Sequence, residues 1–181
     1  NSPISYLIGD DTKKTMFNIP INTTGNQDWG LFGSKAFSYI NNLGLFRLSD
    51  VTVSSDNLEA VTYQEASEIG KNETKNFTIN TPNIAEIVFN GDIYSGTLSF
   101  NEELKYNRLE TIDLTGSKIN CVTTKDLPVT TLNIDKINLP DNVMEFSNLS
   151  SLKTVKLDNS SFAILRLPMW KQKLSITTHA T

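Results

Sequence analysis

One cysteine, one histidine and three arginines stand among the 181 residues, and each scarcity removes a class of function. Cys121 has no partner for an internal disulfide and reads as a small buried hydrophobe rather than a reactive thiol. His179 lies close to the end of the sequence, a poorly fixed place for a catalytic base. Most Ser–His and Cys–His nucleophile schemes and any histidine metal site are thereby excluded. A net charge of −4 with so few arginines argues against nucleic acid, whose phosphates need clustered cations. No apolar run approaches the roughly 20 residues that cross a bilayer as a helix. The nine glycines form neither phosphate-loop spacing nor a G-x-S-x-G elbow, and no calcium-loop pattern occurs. No cofactor is expected.

What the chain does have is neutral polarity: 20 Asn, 20 Thr and 17 Ser, beside 19 Leu and 16 Ile. The apolar share is enough for a core, and the length suits one domain or one elongated unit. The sequence opens on Asn1 with no visible signal peptide, which reads as a processed chain or a piece of a longer one. Sequons at Asn22, Asn72, Asn76, Asn148 and Asn159 are expected by chance at this Asn and Thr content. The composition fits an extracellular or cell-surface protein of bacterial type, or alternatively a virion component.

An internal repeat organises the second half. Leu109-x-x-Ile112-x-Leu114-x-x-x-x-Ile119 shares its spacing with Val129-x-x-Leu132-x-Ile134-x-x-x-x-Leu139 and with Leu152-x-x-Val155-x-Leu157-x-x-x-x-Phe162. Ile84-x-x-Ile87-x-Phe89 fits as well, Leu43-x-x-Phe46-x-Leu48 is a degenerate copy, and Leu174 opens another. A spacing of about 20 to 25 residues belongs to solenoids, in which each coil buries its apolar set only against its neighbours. Short strands with alternate side chains inward, Leu114, Ile134 and Leu157 among them, are the expectation. Unrelated strands of a β-sandwich would show similar alternation. Asn90-Gly91 fits either a hairpin or a corner turning the chain out of a solenoid strand.

The stretch Phe146-Ser-Asn-Leu-Ser-Ser-Leu152-Lys-Thr-Val155-Lys-Leu157-Asp-Asn-Ser-Ser-Phe162 resembles the leucine-rich repeat, in its BspA-like bacterial surface form. The resemblance covers residues 84–181, and 43–181 in outline. It implies a leucine-rich-repeat-like solenoid with short parallel strands over 43–181, mainly β with some α. The asparagine or cysteine that follows the strand in that family is replaced by Ser117, Ile137 and Ser160. Residues 1–42 read as an N-terminal β and helical cap, with short strands over 1–27 and a helix over 34–42. A second helix, capped near Asp56 and stopped by Gly70, fills the gap between the copies at 43 and 84 as an insertion.

Between the inward residues lie positions that face outward, and parallel stacking aligns them into columns about 4.8 Å apart. One column is Glu86, Thr111, Thr131 and Thr154; the next holds Asp113, Asn133 and Lys156; a third holds Asn90, Thr115, Asp135 and Asp158. Glu86, Thr111, Asp113, Thr131, Asn133, Asp135, Thr154 and Lys156 are the candidate binding residues. The function expected is non-enzymatic: a surface or secreted module binding protein or glycan on another surface through this polar face. A structural subunit or decoration of a viral particle or surface layer is one alternative. A carbohydrate-active β-helix using carboxylates is the other. Neighbouring subunits or further repeats of a longer chain are the remaining partners this architecture admits.

Overall fold

The computed structural model describes residues 24–25, 39–44, 47–48, 50–54, 56, 58–65, 68, 72–91, 93, 95–169 and 175–177. The fold is mainly β, a solenoid of stacked parallel strands. The first sheet has seven strands in sequence order: Tyr39–Gly44, Ala60–Gln64, Glu86–Phe89, Thr111–Asp113, Thr131–Asn133, Thr154–Lys156 and Ser175–Thr177. Between them the chain crosses to a second face. There Asp50–Ser54, Lys75–Asn80, Gly96–Phe100 and Ile119–Cys121 form a four-stranded sheet. Asn138–Glu145 and Ser161–Arg166 continue that face as a parallel pair, joined to the four strands by a bridge between Val122 and Glu145. The sandwich alternative is thereby excluded, because sandwich sheets are built from antiparallel strands.

The repeat register holds for the copies at 84, 109, 129 and 152. In the next strand Ile176 and not Thr177 pairs with Val155, so the copy expected to open at Leu174 is one residue out of register. Thr131 pairs with both Thr111 and Thr154, and Glu86 pairs with Thr111, so Ile87, Ile112, Leu132 and Val155 stack in one inward column. Leu114 and Ile134 are fully buried, and Leu157 is partly buried against the same core. The residues three before each strand centre, Ile84, Leu109, Val129 and Leu152, close the coils and are buried. Opposite them, Val51, Phe77, Leu98 and Cys121 stack from the second sheet.

Upstream of residue 84 the register differs from expectation. The helix expected around 55–70 is replaced at Ala60–Gln64 by a strand, with Val61 and Tyr63 buried. Leu58-x-x-Val61-x-Tyr63 is a further copy of the repeat, and it fills the gap assigned to an insertion. Val61, Thr62 and Tyr63 suit a half-buried strand, and two flanking ladders outweigh the capping signals around them. Part of the helix expected over 34–42 is strand as well, in Tyr39–Gly44. Its Ile40 aligns with Val61 and Leu43 with Tyr63, so the copy expected to begin at Leu43 is out of register. The rest of that helix and most of the N-terminal cap lie outside the described residues; Thr24–Gly25 runs parallel to Arg47–Leu48.

Three successive crossings from first to second sheet repeat one corner. Gly116, Lys136 and Asn159 occupy equivalent places with φ of 71°, 57° and 56°. An asparagine or glycine takes this left-handed conformation at little cost, a lysine less readily. Gly91 packs on Gly116, so Asn90-Gly91 serves as a corner and not a hairpin. Ser117 and Ser160, one residue beyond these left-handed positions, serve the corner backbone. Ser117, fully buried, donates its hydroxyl to the Leu114 carbonyl at 2.7 Å. Ser160 donates to the Ile134 carbonyl and accepts from the Ile137 N–H at 3.1 Å, linking two coils.

Two interior features depart from a plain aliphatic core. Tyr63, Phe77 and Phe89 form an aromatic cluster with ring centroids 4.7–4.9 Å apart. Beside it, Lys75 Nζ lies 2.8 Å from Glu65 Oε2, with both side chains almost wholly excluded from solvent. Gly96 pairs with Lys75, and a Cβ there would stand 2.4 Å from the Lys75 carbonyl oxygen, so only glycine fits.

The Lys75–Glu65 pair generates a stability prediction. Lys75→Met leaves a buried carboxylate without its cation and should destabilise by about 3–5 kcal/mol. The double variant Lys75→Met/Glu65→Leu should recover most of that loss in urea melts. A single variant as stable as the parent would show that water already reaches the pair. Cys121 gives a second prediction. Burial pushes its thiol up to about 12, so it stays protonated and enclosed at neutral pH. Ellman's reagent should leave the native protein unmodified and titrate one thiol after denaturation.

Candidate functional site

The outer face of the first sheet carries the sequence-predicted residues, and the strand register brings them into the expected columns. Ala60, Glu86, Thr111, Thr131, Thr154 and Ser175 align across six strands. Val88, Asp113, Asn133 and Lys156 form the neighbouring column. Beyond the strand ends the ladder continues: the Gly116 N–H donates to the Asp135 carbonyl and the Lys136 N–H to the Asp158 carbonyl, each at 2.8 Å. Thr115, Asp135 and Asp158 therefore also stack, as the third column requires.

The three columns differ in how far their polar groups are already engaged. Asp113 accepts from the Thr115 N–H at 3.0 Å, and Asp135 accepts from the Asp158 N–H at 2.8 Å. Both carboxylates thus brace the corner backbone, the second of them between coils. The Thr111, Thr131 and Thr154 hydroxyls have no side-chain or backbone partner among the described residues, and each residue is half-exposed. Asn133 Oδ1 is shielded from solvent and has no hydrogen-bond partner there. Lys156 and Glu86 are exposed.

At the top of the threonine column lies a depression of about 290 Å³. Glu59, Ala60, Ala85, Glu86, Arg108, Glu110 and Thr111 line it, so two of the predicted residues open into it. Arg108 Nη2 contacts Glu59 Oε1 at 2.9 Å, an exposed pair worth about 0–1 kcal/mol. Sequence reasoning missed Glu59, Arg108 and Glu110. Glu59 and Glu110 belong to the position just before each strand, with Ala85, Thr130 and Lys153. In this column one carbonyl accepts two successive N–H groups of the next coil, as Glu59 does from Ala85 and Glu86. Aligning one residue further upstream would have placed both acids beside Glu86.

The outer face of the second sheet is organised differently. Asn76 Nδ2 donates to Asp50 Oδ1 at 3.2 Å, and Thr97 Oγ1 donates to Asn76 Oδ1 at 2.8 Å. At the adjoining corner Asn101 Nδ2 donates to Asn80 Oδ1 at 3.0 Å. Those side chains bond one another along the solenoid axis and leave fewer groups for a ligand. Among the described residues no group of three or more His, Cys, Asp or Glu is set to hold a metal ion. No helix among them is long and apolar enough to cross a membrane. Comparison with protein families, curated proteins and solved structures finds no match for the chain.

The bracing carboxylates and the free hydroxyls separate in a mutational test. Asp135→Ala removes the acceptor of a part-buried N–H and should cost about 1–3 kcal/mol in a denaturant melt. Thr131→Val keeps the shape and removes only an unengaged hydroxyl, so its midpoint should stay within about 0.5 kcal/mol of the parent. Equal losses in the two variants would contradict this division of the face.

Proposed function

We propose that this protein is a non-enzymatic binding module of surface or secreted type, recognising a protein or a glycan through the outer face of its first sheet. In the same reading its solenoid is of the leucine-rich-repeat kind, close to the BspA-like form. One observation carries the proposal: a register-aligned column of threonine hydroxyls, free of internal partners, running into a depression lined by Glu59, Glu86, Glu110 and Arg108. Hydroxyls held on rigid strands lose little entropy when they bond a ligand, which favours recognition over a mobile loop. Their repeat of about 4.8 Å suits an extended partner that meets several coils at once. Asn133 and the exposed Lys156 lie in the adjoining column, which borders the same surface.

The chemistry of the depression supports binding more than bond cleavage. Glu59 is already tied to Arg108, and the site opens to solvent instead of enclosing a substrate. The experiment is an array of glycans and extracellular-type proteins probed with the parent and with Thr111→Val/Thr131→Val/Thr154→Val. Loss of about tenfold or more in affinity at unchanged melting temperature is expected, from three hydrogen bonds of about 0.5–1.5 kcal/mol each. Binding unaffected by the triple variant sinks the assignment of this face. Release of reducing sugar from a polysaccharide, lost on Glu86→Gln, would replace it with the carboxylate-enzyme alternative.

A further inference from the structure

The outer face of the second sheet changes character along the solenoid. Its first coils carry the hydrogen-bonded run Asp50, Asn76 and Thr97. From Cys121 onward the same face turns apolar: Val122, Val143 and Ile164 are 48%, 39% and 45% exposed. These are three of the four large hydrophobics that the described residues leave exposed, so their clustering is not a general property of the surface. Val143 and Ile164 are direct register partners on adjacent strands. In the next outward row Glu145 and Arg166 are partners too, with Arg166 Nε 3.2 Å from Glu145 Oε2. Val122 flanks that row through its bridge to Glu145.

This arrangement is complementary to itself. Consider a twofold axis along the strand direction, midway between Asn138–Glu145 and Ser161–Arg166. It lays Val143 of one copy over Ile164 of the other, and Glu145 over Arg166. Two apolar contacts and two opposite-charge contacts form together, as an isologous interface requires. An axis through either strand would instead oppose Glu145 to Glu145 or Arg166 to Arg166. Ser147 fixes the carboxylate by donating both its N–H, at 2.9 Å, and its hydroxyl to Glu145 Oε1. The acid is therefore held in place, with its second oxygen directed to Arg166.

We propose that this face is the contact between two copies of the chain, packed sheet on sheet with strands aligned. The spacing between the sheets would be the usual distance of about 10 Å. The apolar patch spans only three coils, which puts the contact at the small end of specific interfaces, so the dimer is concentration-dependent rather than permanent. Its two first sheets face away from each other, leaving both threonine columns open. The inference is independent of what those columns bind.

Sedimentation equilibrium of the full chain, from micromolar into the hundreds of micromolar, tests the proposal. The parent should shift from monomer to dimer, and Ile164→Lys should remain monomeric. Glu145→Arg and Arg166→Glu place like charges opposite each other twice across the axis. Each alone should weaken the dimer about tenfold or more. An equimolar mixture of these two variants should restore it as a heterodimer, because every cross-axis charge pair is then opposite in sign. Circular dichroism melts establish that each variant is folded, and restoration on mixing cannot come from refolding of a damaged monomer. A parent that stays monomeric throughout overturns the inference. So does a dimer insensitive to all three substitutions, or a mixture no more associated than its components.

Discussion

Every feature of this protein depends on the in-register parallel ladder. Parallel strands repeat at about 4.8 Å, so a side chain in one coil meets its equivalent in the next, and a misfit at any position is met again in every coil. The inward column Ile87, Ile112, Leu132 and Val155 shows the consequence, since only branched aliphatics of similar volume occupy it. Where the ladder would otherwise lose backbone bonds, at the strand entrances, a single carbonyl accepts two N–H groups of the next coil. Glu59, Ala85, Glu110 and Thr130 all do so. That repeated bond keeps coils of unequal length aligned, because the loops absorb the difference in residues and the strands do not.

The same constraint explains what the sequence made legible and what it hid. From Ile84 to Phe162 the apolar spacing alone determined register, burial and outward columns, because short strands joined by polar corners leave one way to bury those residues. Before Ile84 the spacing competes with other signals. Leu58-x-x-Val61-x-Tyr63 carries the repeat, yet Asp56, Asn57 and Gly70 mimic helix caps around it. Caps are local preferences of about 1 kcal/mol, whereas the strand at Ala60–Gln64 gains a ladder on each side and buries Val61 and Tyr63. Tertiary pairing decides such a segment. In the candidate site, Glu86 and the threonines followed from the repeat and Glu110 stands one residue before it, whereas Glu59 belongs to the copy masked by helix-cap signals and Arg108 lies in a loop outside the repeat.

Polar groups inside the solenoid were the least readable. Lys75 alternates with Phe77 and Ile79 as an inward residue, and nothing in its local pattern points to Glu65, ten positions earlier, as its partner. Ser117 and Ser160 look in the sequence like ordinary polar turn residues, yet each hydroxyl meets the corner carbonyl of its own or a neighbouring coil. Tyr106 resolves in the same way: its hydroxyl donates to the Ile79 carbonyl at 2.5 Å and accepts from the Asn101 N–H at 2.9 Å. A buried polar atom needs a partner in space, and in a solenoid that partner usually sits one coil away, some 20 residues distant in sequence.

The two outer faces follow from how a repeating ladder treats side chains. Columns of Asn, Asp and Thr can satisfy one another when amide and hydroxyl alternate, as Asp50, Asn76 and Thr97 do on the second sheet. A column of three threonines lacks that alternation of strong acceptor and donor. On the first sheet the Thr111, Thr131 and Thr154 hydroxyls have no internal partner among the described residues. Where the second sheet gives up its alternation, at Val122, Val143 and Ile164, it leaves apolar surface in place of hydrogen bonds. One face therefore offers directional polar groups and the other a small self-complementary apolar patch. The difference arises from which residues share a column, since strand geometry is common to both sheets.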